Sequence, residues 1–267
     1  MSIHDKPPLN EATLEHFGVK GMKWGVRKER KAAAENLKRI EPGLIAKSTA
    51  RSTEGVSQKQ YSKLSSKDRI VKAGTVVKRT SNTASVMGPT FVSTNEKDAE
   101  IYRAMIPTRG TKWKPGKVIG KNYELTLEVT KDLKSPSEKA RIDAYAKLMS
   151  SKEIRLGNGE IVTGREYLTR VGFGDVVNNK TNHQIALTQY GKLASFQGIK
   201  DEPLSSAYFK SLSAKGYNAL VDDNDRNIMS RDPLLIFDSN GSLKTLEVRR
   251  LSDLEILKAQ ATVKLPD

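Results

Sequence analysis

The sequence predicts an α+β fold, in which a mixed or antiparallel sheet is flanked by helices and preceded by a basic, partly helical N-terminal arm. Strand-like and helix-like segments follow one another without a regular β-α-β alternation, which disfavours a purely parallel sheet. The clearest strand, residues 123–129, alternates apolar or aromatic residues with Glu and Thr, the period of a half-buried strand. With 267 residues, 37% of them hydrophobic, the chain can bury a substantial core.

Further elements are predicted from turn residues and helix caps. Short β-rich segments bounded by Gly, Pro or Asn predict strands, and a Gly-Asn-Gly turn predicts a hairpin. Ser or Thr followed closely by Glu predicts the start of a helix. The predicted strands are 70–80, 91–93, 217–221, 234–237 and 243–248, with the hairpin turn at 157–159. The predicted helices are 97–106 after a cap at Ser93, 135–149 opening at Ser135, one near 167–168 capped by Thr163, 206–215, and a last one capped by Ser252.

Composition divides the chain near residue 66 into an arm and a core domain. Residues 28–40 are good helix formers whose charges alternate in sign, which is typical of a solvated helix. Residues 47–67 are rich in Ser, Thr, Gln and Lys and predict a linker. We therefore expect an arm over residues 1–66 and an α+β core over residues 67–267.

The overall composition excludes several classes of site. The chain has no cysteine, so disulfides, cysteine-type zinc sites and thiol catalysis are excluded. Its 3 histidines are scattered along the sequence, and no metal site is predicted. The N-terminus is polar and no apolar stretch is long enough to span a membrane, so no membrane partner is expected. The net charge of +15 favours non-specific binding to nucleic acid, which remains one functional hypothesis.

A twelve-residue segment near the N-terminus, residues 16–27, has the composition of a docking motif. Its glycines each cost about 1 kcal/mol in a helix, so a stable free helix is not expected. Exposing its large apolar side chains to water is unfavourable, and the segment is expected to pack on the protein's own core, on another chain or on nucleic acid. The residues expected to bind a partner are Phe17, Lys20, Met22, Lys23, Trp24 and Arg27.

Residues 16–27, HFGVKGMKWGVR, resemble a short peptide that recurs near the ends of otherwise unrelated proteins of tailed bacteriophages. Those proteins are often encoded among the head and structural genes. The resemblance implies a phage virion or head-associated protein that docks through this segment onto the capsid or another structural component. It also implies a location in the virion and the host cytoplasm, and it implies no reaction.

A second pattern extends over the predicted core. Arg79 lies near the end of one predicted strand, Ser93 and Thr94 end the next, and Asp232 opens a late strand. This order is similar to the ADP-ribosyltransferase fold of bacterial toxins and phage head-associated proteins. The resemblance implies that Arg79, Ser93 and Thr94 bind nicotinamide dinucleotide (NAD) and that Asp232 is the catalytic acid.

These residue types suit that chemistry. An arginine such as Arg79 can pair bidentately with a diphosphate, and a carboxylate near the anomeric carbon stabilises an oxocarbenium-like transition state as nicotinamide leaves. The sequence departs from the family pattern at two places. Asp232 stands where a glutamate is expected, and Asn95 replaces the second serine of the Ser-Thr-Ser strand.

Simpler explanations of the same residues remain open at this point. Ser93 has a structural explanation as a helix cap, and Arg79 is one of 46 cations, most of which are expected to be solvated or paired. Three functions follow: a virion-associated docking protein, an active ADP-ribosyltransferase or NAD glycohydrolase acting on a host macromolecule, and a nucleic-acid-binding accessory protein.

Overall fold

The computed structural model of the chain describes residues 29, 31–33, 35, 36, 55–106, 118–188, 203–221 and 233–263. Within these ranges, helices accompany one six-stranded antiparallel sheet and two small two-stranded sheets, which confirms the α+β class. The segment 16–27 and Asp232 lie outside the described residues. None of the helices in the described ranges is long and apolar enough to cross a membrane.

The elements are numbered in chain order. The helical residues 29, 31–33, 35 and 36 are labelled α1. The other helices are α2 (Gln58–Lys63), α3 (Glu96–Ala104), α4 (Glu138–Leu148), α5 (Gly164–Arg170), α6 (Gly174–Val177), α7 (Asn182–Thr188), α8 (Pro203–Ala214) and α9 (Asp253–Thr262). The strands are β1 (Arg69–Val71), β2 (Val76–Ser81), β3 (Thr90–Ser93), β4 (Tyr123–Val129), β5 (Leu133–Ser135), β6 (Ile154–Arg155), β7 (Ile161–Val162), β8 (Ala219–Val221), β9 (Pro233–Ile236) and β10 (Leu243–Arg250).

The large sheet has the strand order β10-β4-β2-β3-β9-β8, and all of its neighbouring strands are antiparallel. The predicted strand 123–129 forms β4 with the expected bounds. Strand β10 lies at one edge of this sheet, and its pairing with β4 shifts register between Thr245 and Glu247. The two small sheets pair β1 with β5 and β6 with β7.

Strand β9 separates two apolar clusters. Neighbouring residues of a strand point to opposite faces of a sheet. Accordingly, Leu234 packs in a cluster with the apolar residues of β2 and β4 and with Val71 and Leu133 of the small β1–β5 sheet. Leu235 packs instead in a cluster with helices α4, α5, α7 and α8. The large sheet thus lies between a small sheet on one face and helices on the other.

Several helices begin at the capping residues that the sequence predicts. Thr163 and Ser252 each form a capping box with a glutamate three residues later, at the starts of α5 and α9. Helix α4 begins two residues later than predicted. Its cap is Ser137, whereas Ser135 is the last residue of β5.

The interpretation of Ser93 as the cap of α3 is wrong. The capping side chain is that of Asn95, which accepts a hydrogen bond from the backbone N–H of Asp98 at 2.9 Å. Ser93 is the last residue of β3 and is buried. The strand ends at Ser93 as predicted, and Ser93 pairs with a neighbour on each side, so its side chain is committed to the sheet and not to the start of α3.

Residues 55–66, which composition places in the linker, pack on the core domain. Helix α2 begins with a capping box at Ser57. The Tyr61 hydroxyl donates to Asp143 Oδ1 of α4 at 2.9 Å, and its ring meets that of His183 edge-on with centroids 4.6 Å apart. The backbone N–H of Val56 donates to the carbonyl of Leu187 at 2.9 Å. One aromatic side chain and a few hydrogen bonds therefore attach this polar segment.

Candidate functional site

Three segments that are distant in sequence meet on the neighbouring strands β2, β3 and β9. Lys78, which precedes Arg79, is paired with Ser93, and Ser93 is paired with Pro233. Pro233 directly follows Asp232 in the chain. The sheet therefore brings Arg79 and Ser93 to almost the same level, and it begins β9 beside Ser93.

Arg79 is a half-buried cation near the end of β2. Its Nη1 donates to the carbonyl oxygen of Phe91 on β3 at 3.2 Å, and its Nε is buried with no hydrogen-bond partner among the described residues. Burial lowers the pKa of the guanidinium, yet an arginine keeps its charge in a protein. No carboxylate in the described ranges forms an ion pair with it. Part of its hydrogen-bonding capacity is therefore available to an anion.

A cleft of about 580 Å³ opens at the C-terminal end of β2, next to Arg79. It is lined by residues 79–82 at the end of β2 and beyond, by Tyr102, Met105 and Ile106 at the end of α3, and by residues 119–122 before β4. The Thr80 hydroxyl beside Arg79 is also buried without a partner in the described part of the chain. The cleft thus combines apolar walls with two incompletely bonded polar groups.

Ser93 and Thr94 lie on the strand next to Arg79, and they do not line this cleft. Ser93 is 3% exposed, whereas Thr94 is half-buried between the strand and the cap of α3. The structure thus brings Arg79 and Ser93 together in the sheet and keeps Ser93 and Thr94 outside the cleft wall. In the described ranges, no group of three or more His, Asp or Glu side chains is arranged to hold a metal ion.

A buried carboxylate next to the cleft was not expected from the sequence. Glu124 of β4 is paired in register with Thr80 and is 6% exposed, although the alternation of β4 predicts that it faces outward. It accepts hydrogen bonds from Arg103 of α3 and, at 3.0 Å, from Arg249 of β10. Burial alone raises the pKa of Glu124, but the hydrogen bonds from the two arginines outweigh burial and lower it.

This carboxylate is the centre of an ion-pair network that ties α3 and β10 to β4. Arg103 and Lys78 both contact Glu96 at the start of α3, and Arg249 contacts Glu255 of α9. Every charge around Glu124 thus has a partner, which suits a structural role better than a catalytic one. No spacing in the sequence signals this site, because the two partners of Glu124 lie on separate elements, α3 and β10, that are distant from each other in the chain.

Comparison with known proteins identifies a match for the N-terminal part alone. The sequence profile of a family of unknown function (DUF7211) matches residues 7–31. The matched range contains the segment 16–27 and the first residues of α1. No curated protein and no solved structure matches the chain.

Proposed function

We propose that the core of this chain is an ADP-ribosyltransferase-like domain that binds NAD and either transfers its ADP-ribose to a host macromolecule or hydrolyses it. The register of β2, β3 and β9 carries this proposal. Lys78, Ser93 and Pro233 form one row across the sheet, so the three segments on which the resemblance rests are neighbours in space. This adjacency is what the resemblance requires, and it supports the proposal.

The chemistry assigned to each residue follows from its surroundings. Arg79 supplies the positive charge for the diphosphate, since it lines the cleft and forms no ion pair with a carboxylate in the described ranges. Asp232 supplies the carboxylate that stabilises positive charge on the ribose as the bond to nicotinamide breaks. The electron pair of that bond leaves with nicotinamide, and an acceptor hydroxyl, amine or water bonds to the ribose and loses its proton.

One departure from the family pattern has a structural reason. Asn95, which replaces the second serine, caps α3 through its side chain. Asn is a strong N-cap residue, so the side chain at this position serves the start of α3. The side chain of Asp232 is one methylene shorter than the glutamate of the family pattern. The ribose or the acceptor must therefore approach its carboxylate more closely by about that length.

Calorimetric titration of the full chain with NAD tests the binding step. We expect Arg79→Lys to weaken binding by about tenfold or more, because lysine replaces a bidentate fork with a point charge. The matched control is Arg155→Lys, at an exposed strand position outside the cleft lining. Equal affinities for the wild-type protein and both variants contradict the assignment of Arg79.

Labelled NAD and host lysate test the reaction step. We expect the wild-type protein to label a host macromolecule or release nicotinamide, and Asp232→Asn to bind NAD but do neither. Asp238→Asn is the control, at the other end of β9. Undiminished activity of Asp232→Asn contradicts its catalytic role, and the absence of any NAD binding contradicts the proposal as a whole.

A second candidate function concerns the arm: docking onto a capsid or another component of a tailed-phage virion through residues 16–27. The family match supports this proposal, because it is confined to residues 7–31 and so treats the segment as a unit separate from the core. The large apolar side chains of the segment supply the contact area, and its cations suit an acidic partner surface.

Mass spectrometry of purified particles tests the docking proposal. We expect the triple variant Phe17→Ala/Met22→Ala/Trp24→Ala to be lost from particles, because it removes the apolar contact. The control is Ile40→Ala/Leu44→Ala/Ile45→Ala, which removes apolar residues from the same arm outside the segment. Normal amounts of the first variant in particles contradict docking through residues 16–27.

A further inference from the structure

Helix α1 is bonded to the C-terminal end of α9. The Asn36 side-chain Nδ2 donates to the carbonyl oxygen of Gln260 at 2.9 Å and to that of Val263 at 3.1 Å. Ala33, one turn earlier on the same side of α1, is fully buried. The last carbonyl groups of a helix lack partners within the helix, so Asn36 satisfies acceptors that α9 itself leaves open. The predicted solvated helix of the arm is therefore attached to the core.

Gln260 extends this contact toward the cleft. Its side chain is 2% exposed, and its Nε2 donates to the carbonyl oxygen of Ile106 at 2.9 Å. Ile106 follows α3 and lines the cleft. It also packs in an apolar cluster with Val118, Leu251 and Ile256, which joins the end of α3 to the start of α9. One residue thus binds the arm through its backbone and the cleft wall through its side chain.

We propose that α1 is a latch that couples the N-terminal arm to the cleft. With α1 in place, Asn36 holds the end of α9, and Gln260 in turn holds Ile106 in its cluster with Val118, which precedes the cleft residues 119–122. When α1 leaves α9, that end of the helix frays, Gln260 loses its fixed position and the cleft wall loosens. The segment 16–27 ends two residues before Glu29, so a partner that binds it acts directly on the N-terminal end of α1.

Hydrogen exchange of the full-length protein tests the latch without any cleft ligand. We expect Asn36→Ala, which removes both hydrogen bonds to α9, to accelerate exchange by at least about fivefold, the effect of one neutral hydrogen bond, both in residues 31–36 and at the cleft residues 102–106 and 119–122. Glu35→Ala, on an exposed residue of the same helix, is the control and leaves both regions unchanged. Residues 142–148 of buried helix α4 provide an internal reference.

A second variant separates the contact between α1 and α9 from the coupling of that contact to the cleft. Gln260→Met keeps the backbone carbonyl that Asn36 binds but removes the hydrogen bond to Ile106. We expect it to accelerate exchange at the cleft while residues 31–36 stay protected. Lys258→Met, on an exposed residue of α9, is the control.

The Asn36 variant decides the proposal, because Asn36 is only half-buried and its loss leaves the core clusters intact. Faster exchange of α1 with an unchanged cleft refutes the coupling, and unchanged exchange of α1 refutes the latch contact. Neither result depends on NAD binding, so failure of the proposed function and failure of the latch are distinguishable.

Discussion

Among single residues, Glu124 has the largest expected effect on stability. Its carboxylate is enclosed by Arg103 and Arg249, and its side chain is only 7% exposed. Glu124→Gln removes the carboxylate closest to the largely buried Arg103, which then keeps only the longer 3.4 Å contact with Glu96, whereas the more exposed Arg249 keeps Glu255. We expect the free energy of unfolding to fall by about 3 kcal/mol, the usual effect of removing one partner of a buried ion pair. Urea denaturation at neutral pH measures it.

Glu160→Gln is the matched control for this prediction. Glu160 accepts two hydrogen bonds of 2.7 Å from Arg170, which is the better geometry of the two sites. Both side chains are more than 40% exposed, at 43% and 47%, so water replaces the pair when it is broken. We expect a much smaller loss than at Glu124, because solvent screens an exposed pair. Equal losses at Glu124 and Glu160 would mean that burial does not set the energy of these pairs.

Sequence reasoning at this scale succeeds for residues whose role is local. The positions of Arg79 and Ser93 on adjacent strands follow from β-rich segments and their ends. The burial of Glu124 does not, because an alternating strand marks it as outward-facing and its two arginines lie 21 and 125 residues away. The sequence does not identify Asn95 as the cap of α3, because the side chain of Ser93, two residues earlier, can also accept a hydrogen bond from a helix N-terminus.

At the scale of elements, the approach of α5 to the end of α4 depends on Gly164. A Cβ at this position would lie 2.4 Å from the Met149 Cε and 2.8 Å from the Leu148 carbonyl oxygen. The methionine side chain can move, but the backbone carbonyl cannot. We expect Gly164→Ala to lower the free energy of unfolding by about 2 kcal/mol through overpacking, measured by urea denaturation.

Gly174→Ala tests whether this loss comes from contact rather than from glycine itself. Gly174 is the first residue of α6, and an added Cβ there meets no atom within 4 Å. Its backbone lies outside the left-handed region, so alanine fits without strain. We expect a gain of about 0.5 kcal/mol from the reduced entropy of the unfolded chain. A loss similar to that of Gly164→Ala would contradict the overpacking argument.

Elements with their own start and stop signals are the ones that the sequence predicts. Strand β4 and the capped helices α5 and α9 are confirmed with near-correct bounds. Residues 172–182, for which the sequence predicts no helix or strand, contain the short helix α6 and lead into α7, which contributes Ile185 to the core cluster. Helices of four to seven residues are too short to show an apolar period. Helix α7 does carry a start signal, the capping box of Thr181 with Gln184, whereas α6 has no side-chain cap.

For the molecule as a whole, acid is expected to loosen the attachment of α9 and β10. Burial alone raises the pKa of Glu255, but hydrogen bonds from Ser252 and Arg249 outweigh burial and lower it from 4.5 to about 2. The pKa of Glu124 is lowered as well. Groups with lowered pKa values stabilise the fold fully above their unfolded pKa, and the stabilisation is lost as the pH falls through the folded value.

We therefore expect the Tm to decline between about pH 4.5 and pH 2 as these carboxylates become protonated. Thermal melts from pH 7 to pH 2 measure the decline. Arg249→Gln removes one partner of both carboxylates and should flatten the curve, whereas Arg155→Gln at an exposed site outside the network should not. A Tm equally dependent on pH in all three proteins would contradict the assignment.

The net charge of +15 is a property of the whole molecule, and non-specific nucleic-acid binding stays a prediction from it. If several phosphate contacts form, affinity should fall by orders of magnitude between about 50 and 200 mM salt. Association that is insensitive to salt would favour apolar docking of the arm instead.

The register shift in the outermost strand has a consequence for how molecules of this protein behave next to one another. The offset between Thr245 and Glu247 leaves Leu246 without an opposite residue on β4. A bulge of this kind bends a strand and increases its twist. The rim of the sheet then presents no straight row of amide and carbonyl groups along the whole of β10, which disfavours edge-to-edge hydrogen bonding with a neighbouring copy.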